Sequence, residues 1–267
     1  MLSIQQYNIS MLMDPLKFTQ IIVFAVLFIA AISFLSEPVC AQALSTPDTV
    51  TWYDSARQRR VPIALYKPES KKNHKKIPLV IFSHGYGENR GGDYLIYSYI
   101  NENLAQNGYF VASVQHELPT DDLLPIEGIP QIVRRPFWDR GVENIQFVIS
   151  ELIRRDYKLD FEHITLIGHS NGGDMTALFA QKYPGRVYRI ITLDNRRMAL
   201  PLQTHVFSLR SSDQPADEGV LPTPENLARF KITLVKLSST KHNEMDDDAN
   251  AMQRKEINSY LINFMKR

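Results

Sequence analysis

Ile164-Thr165-Leu166-Ile167-Gly168-His169-Ser170-Asn171-Gly172-Gly173 is the stretch on which the fold turns. Ile164 to Ile167 is a short apolar, β-branched run, the pattern of a buried strand. Gly172 to Lys182 has helical spacing and is closed by Pro184-Gly185. Between strand and helix sits G-x-S-x-G with nothing to spare on either side. A serine on so sharp a turn is held in a strained backbone conformation with its hydroxyl projecting from the sheet edge. Gly168 and Gly172 leave room for neighbouring backbone, and the helix that follows aims free N–H groups at negative charge. Ser170 is therefore the candidate nucleophile.

Outward from this segment, strand and helix signals alternate. Val50 to Tyr53 and Arg60 to Lys67 are strand candidates joined by a turn, and Ile77 to Ser83 is an apolar run ending in His84-Gly85. Tyr94 to Gln106 reads as a helix stopping at Gly108, and Tyr109 to Val114 as the next strand. Phe137 to Arg154 places Val142, Ile145, Val148, Ile149 and Leu152 on one helical face. Further strands are expected at Val187 to Leu193, Val206 to Leu209 and Ile232 to Leu237, then a last helix capped by Asp246-Asp247-Asp248 and reaching about Met265. Such alternation makes an α/β domain, a mostly parallel sheet with helices on both faces. Active residues of such sheets gather beyond the carboxyl ends of the strands. Two long irregular stretches remain, Glu117 to Pro136 and Ser211 to Ala228; the first reads as a loop facing substrate.

A nucleophilic serine needs a base, an acid and donors for the oxyanion. Where the serine sits on a strand-to-helix elbow, the chain order is Ser, acid, His. Two histidines follow Ser170: His205, at the start of a strand, and His242, past the last strand in Ser238-Ser239-Thr240-Lys241-His242-Asn243. His242 is the candidate base, because a loop lets the imidazole reach the serine. Two strand ends offer the acid. Asp194 closes Ile190 to Leu193, and Asp213 follows Leu209 to Ser212. Asp194 is favoured because an aspartate ending an apolar run needs a partner, and Asp213 stays as the alternative. The oxyanion requires two N–H donors, assigned to Asn171 and to Tyr86 in Ser83-His84-Gly85-Tyr86-Gly87. His84 is expected to prop that loop. An unprotonated His242 implies an activity optimum near or above neutral pH.

Three segments carry a family likeness: Phe82-Ser83-His84-Gly85-Tyr86-Gly87, Asn107-Gly108-Tyr109-Phe110-Val111-Ala112 and Gly168-His169-Ser170-Asn171-Gly172-Gly173. With Thr192-Leu193-Asp194 they resemble the α/β-hydrolase superfamily over residues 49–267, and within it the platelet-activating-factor acetylhydrolase and dienelactone-hydrolase-like branch. The resemblance implies the α/β-hydrolase fold and a Ser-Asp-His esterase without cofactor, cleaving short or truncated acyl esters through an acyl-enzyme. It departs from the pattern between Asp194 and the next strand. The residues from Asn195 to about Gln203 are too few for the usual helical crossover, so no large cap domain is expected and the site should be open. An acyltransferase or peptidase with the same residues, and a non-catalytic binding module on this fold, are the alternatives.

Composition bounds the partners. The 267 residues are 44% hydrophobic with a formal net charge of +1, which gives no electrostatic ground for nucleic-acid binding. No histidine or carboxylate cluster has metal-ligand spacing. The expected partner is a small-molecule or lipid ester, with transient membrane contact in the lipid case. Arg134, Arg135, Arg196 and Arg197 read as solvated arginines, with contact to an anionic substrate group as the other reading. The basic run Lys71 to Lys76 reads as a solvated loop. At the N-terminus, Lys17, the uncharged stretch Ile21 to Leu35 and the small-residue site Val39-Cys40-Ala41 have the order of a secretory signal peptide over residues 1–41. Residues 42–48 then read as a linker. Export to the periplasm or medium is expected, with an uncleaved membrane anchor as the alternative; cleavage would remove Cys40, the single cysteine.

Overall fold

The computed structural model describes residues 46–69 and 76–267. The signal-peptide segment, Cys40, linker residues 42–45 and the Lys71–Lys75 part of the basic run lie outside the described residues. Among the described residues eight strands form one sheet: β1 (Asp48–Asp54), β2 (Arg59–Tyr66), β3 (Ile77–Ser83), β4 (Phe110–Val114), β5 (Leu159–His169), β6 (Arg189–Leu193), β7 (Val206–Arg210) and β8 (Thr233–Lys236). Their spatial order is β1-β2-β4-β3-β5-β6-β7-β8. The first hairpin pairs antiparallel, as β2 does with β4, and every other pairing is parallel. The helices are α1 (Ser98–Gln106), the single turn α2 (Pro130–Val133), α3 (Arg135–Arg154), α4 (Asn171–Lys182), α5 (Pro224–Phe230) and α6 (Ala251–Met265).

The buried strands read as continuous apolar runs because both sheet faces are covered. Successive residues point to opposite sides: in β3, Leu79 and Ile81 enter one core and Val80 and Phe82 the other. The first core is closed by Trp138, Val142, Ile145 and Val148 of α3 and Met175 and Leu178 of α4. The second is closed by Tyr99, Ile100 and Leu104 of α1 and Ile257, Leu261 and Phe264 of α6. Two layers of helix thus clamp the sheet and fix where its carboxyl edge presents loops.

Three local features differ from the sequence pattern. Tyr94 to Gln106 is not one helix: a short 3-10 turn (Asp93–Leu95) precedes α1, which begins only at Ser98. The aspartate triplet does not cap α6. Asn250 does, its side chain accepting from the N–H groups of Met252 (2.9 Å) and Gln253 (3.1 Å). Asp247 instead accepts from the N–H groups of Ser98 (3.1 Å) and Tyr99 (3.4 Å), so its charge serves the positive end of α1. Finally, Ser211 to Ala228 is not wholly irregular, since α5 begins at Pro224 with Thr223 as its cap.

Candidate active site

Ser170 alone makes the turn between β5 and α4, at φ 51° and ψ −117°. A non-glycine residue held there stores about 1–3 kcal/mol of strain, so the surroundings must enforce it. Its N–H donates to Leu193 O (2.9 Å), and its carbonyl accepts from Asp174 N–H (3.0 Å). The two flanking glycines explain the rest. A Cβ on Gly168 would lie 2.3 Å from Gly172 O, and one on Gly172 would lie 2.3 and 2.4 Å from the carbonyl oxygens of Ser83 and His84. The elbow closes on itself and on the loop after β3 only because neither position has a side chain.

His242 opens a 3-10 turn beyond β8. Its Nε2 lies 2.9 Å from Ser170 Oγ, and its Nδ1 lies 2.6 Å from Asp194 Oδ2. Asp194 follows β6 directly, at φ 57°, and is fully buried. The same carboxylate accepts from Ser211 Oγ (2.6 Å) and Ser211 N–H (3.0 Å), and Arg210 sits 3.0 Å from Oδ1. Burial pushes this carboxyl up, but the His242 hydrogen bond, Arg210 and the two Ser211 bonds outweigh it and hold it below the usual aspartate range. Asp213 is exposed and accepts from the backbone N–H of His242 (2.8 Å). Of the two acid candidates, Asp194 meets the imidazole and Asp213 holds the loop that carries it. His205 lies away from this cluster, its ring against Tyr188 with centroids 4.2 Å apart.

The oxyanion candidates sit on the two segments that Gly172 brings together. Among the described residues, the N–H groups of Tyr86 and Asn171 donate to no protein acceptor. Gly85 N–H, by contrast, is taken by Tyr97 Oη (3.0 Å). His84 does prop the loop: its Nδ1–H donates to Gly85 O (2.6 Å) and its Nε2 accepts from His116 N–H (2.9 Å). The side chain of Asn171 is fully engaged elsewhere. Its Oδ1 accepts from Trp138 Nε1 (2.8 Å) and its Nδ2 donates to buried Glu117 (2.9 Å), whose carboxyl burial pushes up. This clamp fixes the start of α4 to α3 and to the loop after β4.

Sequence reasoning missed a second network. Tyr97 Oη lies 2.8 Å from His169 Nδ1, and His169 Nε2 lies 3.1 Å from the carbonyl oxygen of His242. Since that carbonyl only accepts, Nε2 carries the proton and Nδ1 accepts from Tyr97. One neutral histidine thereby joins the β3 loop, the elbow and the His242 loop. Burial and the neighbouring His242 push the His169 imidazole down to about 3. Between roughly pH 6.5 and that value the unfolded chain binds this proton and the folded one does not, so the His169 contribution to stability is lost as pH falls. The stability advantage of wild type over His169→Gln is expected to shrink from pH 7.5 to pH 4.5 in denaturant unfolding. A pH-independent difference would contradict the assignment.

The Glu117 to Pro136 stretch lies beside the site, since Leu124 N–H donates to Tyr86 Oη (3.0 Å). It presents Leu123, Ile126, Ile129 and Ile132, each more than 60% exposed, as an apolar lip. Trp138, just beyond this stretch, is buried. Across the cleft, the segment from Asp194 to His205 runs to β7 with no helix. Asp174 replaces one: its Oδ1 accepts from the N–H groups of Arg196 (3.2 Å), Arg197 (2.9 Å) and Met198 (2.8 Å). Burial nevertheless pushes this carboxyl up to about 6. No group of metal-ligating side chains is present among the described residues.

Sheet order, strained elbow and a hydrogen-bonded Ser-His-Asp array at the carboxyl edge together define the α/β-hydrolase fold. Within it the chain belongs to the BD-FAE family, whose model matches residues 63–197, half of the chain. No curated protein matches it. Among solved structures, a thermostable esterase superposes with a TM-score of 0.58 at 19% identity over 81% of this chain. This chain spans only 60% of that esterase. A ferulic acid esterase from Streptomyces cinnamoneus gives a TM-score of 0.56 at 20% identity, covering 79% of each chain. A serine hydrolase without lid from Xanthomonas campestris gives 0.55 at 14% identity, over 84% of this chain and 95% of its own. At such identities the likeness speaks for the fold. The narrower likeness to the acetylhydrolase and dienelactone-hydrolase branch stands as a sequence resemblance.

Proposed function

We propose that the protein is a carboxylic ester hydrolase working through Ser170, His242 and Asp194. The observation that carries this reading is the unbroken hydrogen-bond run from Ser170 Oγ through both nitrogens of His242 to a buried, ionised Asp194. In the mechanism, His242 Nε2 takes the hydroxyl proton as Ser170 Oγ bonds the ester carbonyl carbon. The resulting oxyanion is received by the N–H groups of Tyr86 and Asn171, each such donor contributing about 3–4 kcal/mol to transition-state stabilisation. Collapse breaks the ester C–O bond, and the alcohol leaves with the proton from Nε2. Water then gives a proton to Nε2 and its oxygen to the acyl carbon, freeing the acid and Ser170. Asp194 stays ionised throughout and stabilises the imidazolium.

Short or truncated acyl esters suit a site flanked by an exposed apolar lip, with no helix between β6 and β7 to roof it. Turnover of p-nitrophenyl esters of rising acyl length by residues 42–267 tests this. Hydrolysis with an optimum among the short chains is expected, and absence of turnover across the series would refute the esterase reading. The protein is further proposed to act outside the cytoplasm, on the signal-peptide pattern of residues 1–41. N-terminal sequencing of the protein from the periplasm or medium is expected to begin after Ala41 or Ala43, and a retained N-terminal segment would overturn cleavage.

A further inference from the structure

The arginines around the cleft are not alike in how their charge is met. Arg135 pairs with Asp139 (3.0 Å) on the outer side of α3, and Arg197 holds Asp217 through one nitrogen at 2.8 and 3.0 Å. Arg196 bonds Gln214 and the carbonyl of Pro215. Arg134 differs from all three. It is half-buried, its Nε donates to Pro125 O (3.1 Å), and among the described residues neither terminal nitrogen meets an acceptor or a carboxylate. A guanidinium partly removed from water without a counter-charge is an unfavourable arrangement unless something else supplies the anion.

Its position says what that would be. Pro125 follows Leu124, whose N–H binds the Tyr86 hydroxyl, so one fork of contacts ties Arg134 to the oxyanion loop. Trp138, one helical turn along α3 and hence on the same face, reaches Asn171 beside the nucleophile. From α2, Gln131 donates to the carbonyl of Arg197 (3.2 Å), which brings the segment after Asp194 to the same wall. Arg134 is thus set beside the loop after β3, the start of α3 and the segment after Asp194. Burial and the nearby positive charges of Arg197 and Arg196 disfavour its charged form, with Asp174 and Tyr86 in the opposite sense. Asp174 accepts three backbone N–H groups through Oδ1, and among the described residues no carboxylate forms an ion pair with Arg134.

We infer that Arg134 is a specificity residue that holds an anionic oxygen group, carboxylate or phosphate, on the substrate remote from the scissile ester. The two terminal nitrogens of its planar fork match paired oxygens, and the half-buried setting strengthens the attraction relative to open water. This rests on the proposed esterase site and names the class of ester that site prefers. A neutral aliphatic ester fills the apolar lip but leaves Arg134 unpaired.

The test compares p-nitrophenyl half-esters of adipic and pimelic acid with neutral p-nitrophenyl esters of the same chain length. Wild type should favour the anionic member in kcat/KM, less so as salt rises. Arg134→Gln should lower the anionic-to-neutral ratio by about 10–100-fold, the usual worth of a charged hydrogen bond. Arg134→Lys should keep part of the preference, and Arg135→Gln should leave the ratio unchanged. An equal ratio in wild type and Arg134→Gln overturns the inference. Calorimetric binding of adipate and of an alkyl phosphate to Ser170→Ala, with and without Arg134→Gln, needs no turnover and tells the two anions apart. Binding of either that weakens about tenfold or more with Arg134→Gln supports the inference even if every ester is inert. Binding of neither, or binding indifferent to Arg134, overturns it while the esterase reading stands on the neutral substrates.

Discussion

Ser170→Ala is expected to lower ester turnover by about 10⁴–10⁶-fold, the scale seen when a nucleophile acting with its base as a unit is removed. The fold should survive. The substitution deletes one hydroxyl and one hydrogen bond to His242, worth about 1 kcal/mol. The turn itself is held by backbone bonds that alanine keeps, from Ser170 N–H to Leu193 O and from Asp174 N–H to the carbonyl of residue 170. A thermal midpoint within a few degrees of wild type should therefore accompany the loss of rate. Wild-type turnover by a folded Ser170→Ala protein would remove the serine mechanism altogether, since no other hydroxyl is hydrogen-bonded to His242 Nε2 among the described residues.

Asp194→Asn should be nearly as severe, lowering kcat by about 10⁴-fold, whereas Asp213→Asn should stay within about tenfold. An asparagine at 194 has no charge to stabilise the imidazolium, and its amide can turn an N–H toward Nδ1, which favours the wrong tautomer. It also strands Arg210, which is buried and has its carboxylate contact at Asp194. Breaking a buried pair by removing one partner costs about 3–5 kcal/mol, so rate and stability should fall together. The Asp213 case differs in kind. Asparagine keeps the oxygen that accepts from His242 N–H, and the lost charge sits on an exposed side chain where its electrostatics are screened. Steady-state rates corrected for folded fraction by circular dichroism decide between them. The reverse ranking would move the acid from the end of β6 to the end of β7.

What the sequence made legible was what local pattern controls. The strand-turn-helix around Ser170 is written in adjacent residues, and its glycines have a steric reason that the backbone contacts at Gly168 and Gly172 bear out. Alternating apolar runs sufficed for the parallel sheet, because strands covered on both faces have little polar interruption. Local pattern does not separate Asp194 from Asp213, since both follow a strand at the same edge. What separates them is the side chain of Ser211 and the charge of Arg210, which arrive from β7.

The remaining surprises share that non-local origin. His169 occupies a variable position of the motif, and nothing near it hints that Tyr97 and the His242 carbonyl will flank its ring. Trp138 and Glu117 grip Asn171 from 33 and 54 residues away. The aspartate triplet before α6 has a composition suited to a helix start, yet Asn250 lies nearer the first turn and wins, freeing Asp247 for α1. In the sequence Arg134 is one of four arginines with nothing local to distinguish it. Its lack of a counter-charge emerges once Arg135 and Arg197 have found theirs.

Labelling with a fluorophosphonate probe, followed by mapping of the modified peptide, tests the central claim most directly. The probe forms a stable phosphonyl ester only with a serine whose hydroxyl is activated by a base and whose product oxyanion is received by donors, so it reports the assembled array independently of any natural ester. A single adduct on Ser170 of wild type is expected at pH 8, lost in Ser170→Ala and strongly slowed in His242→Ala. A folded wild type that takes no label, or takes it on another residue, would contradict the account and return the chain to a hydrolase fold without this chemistry.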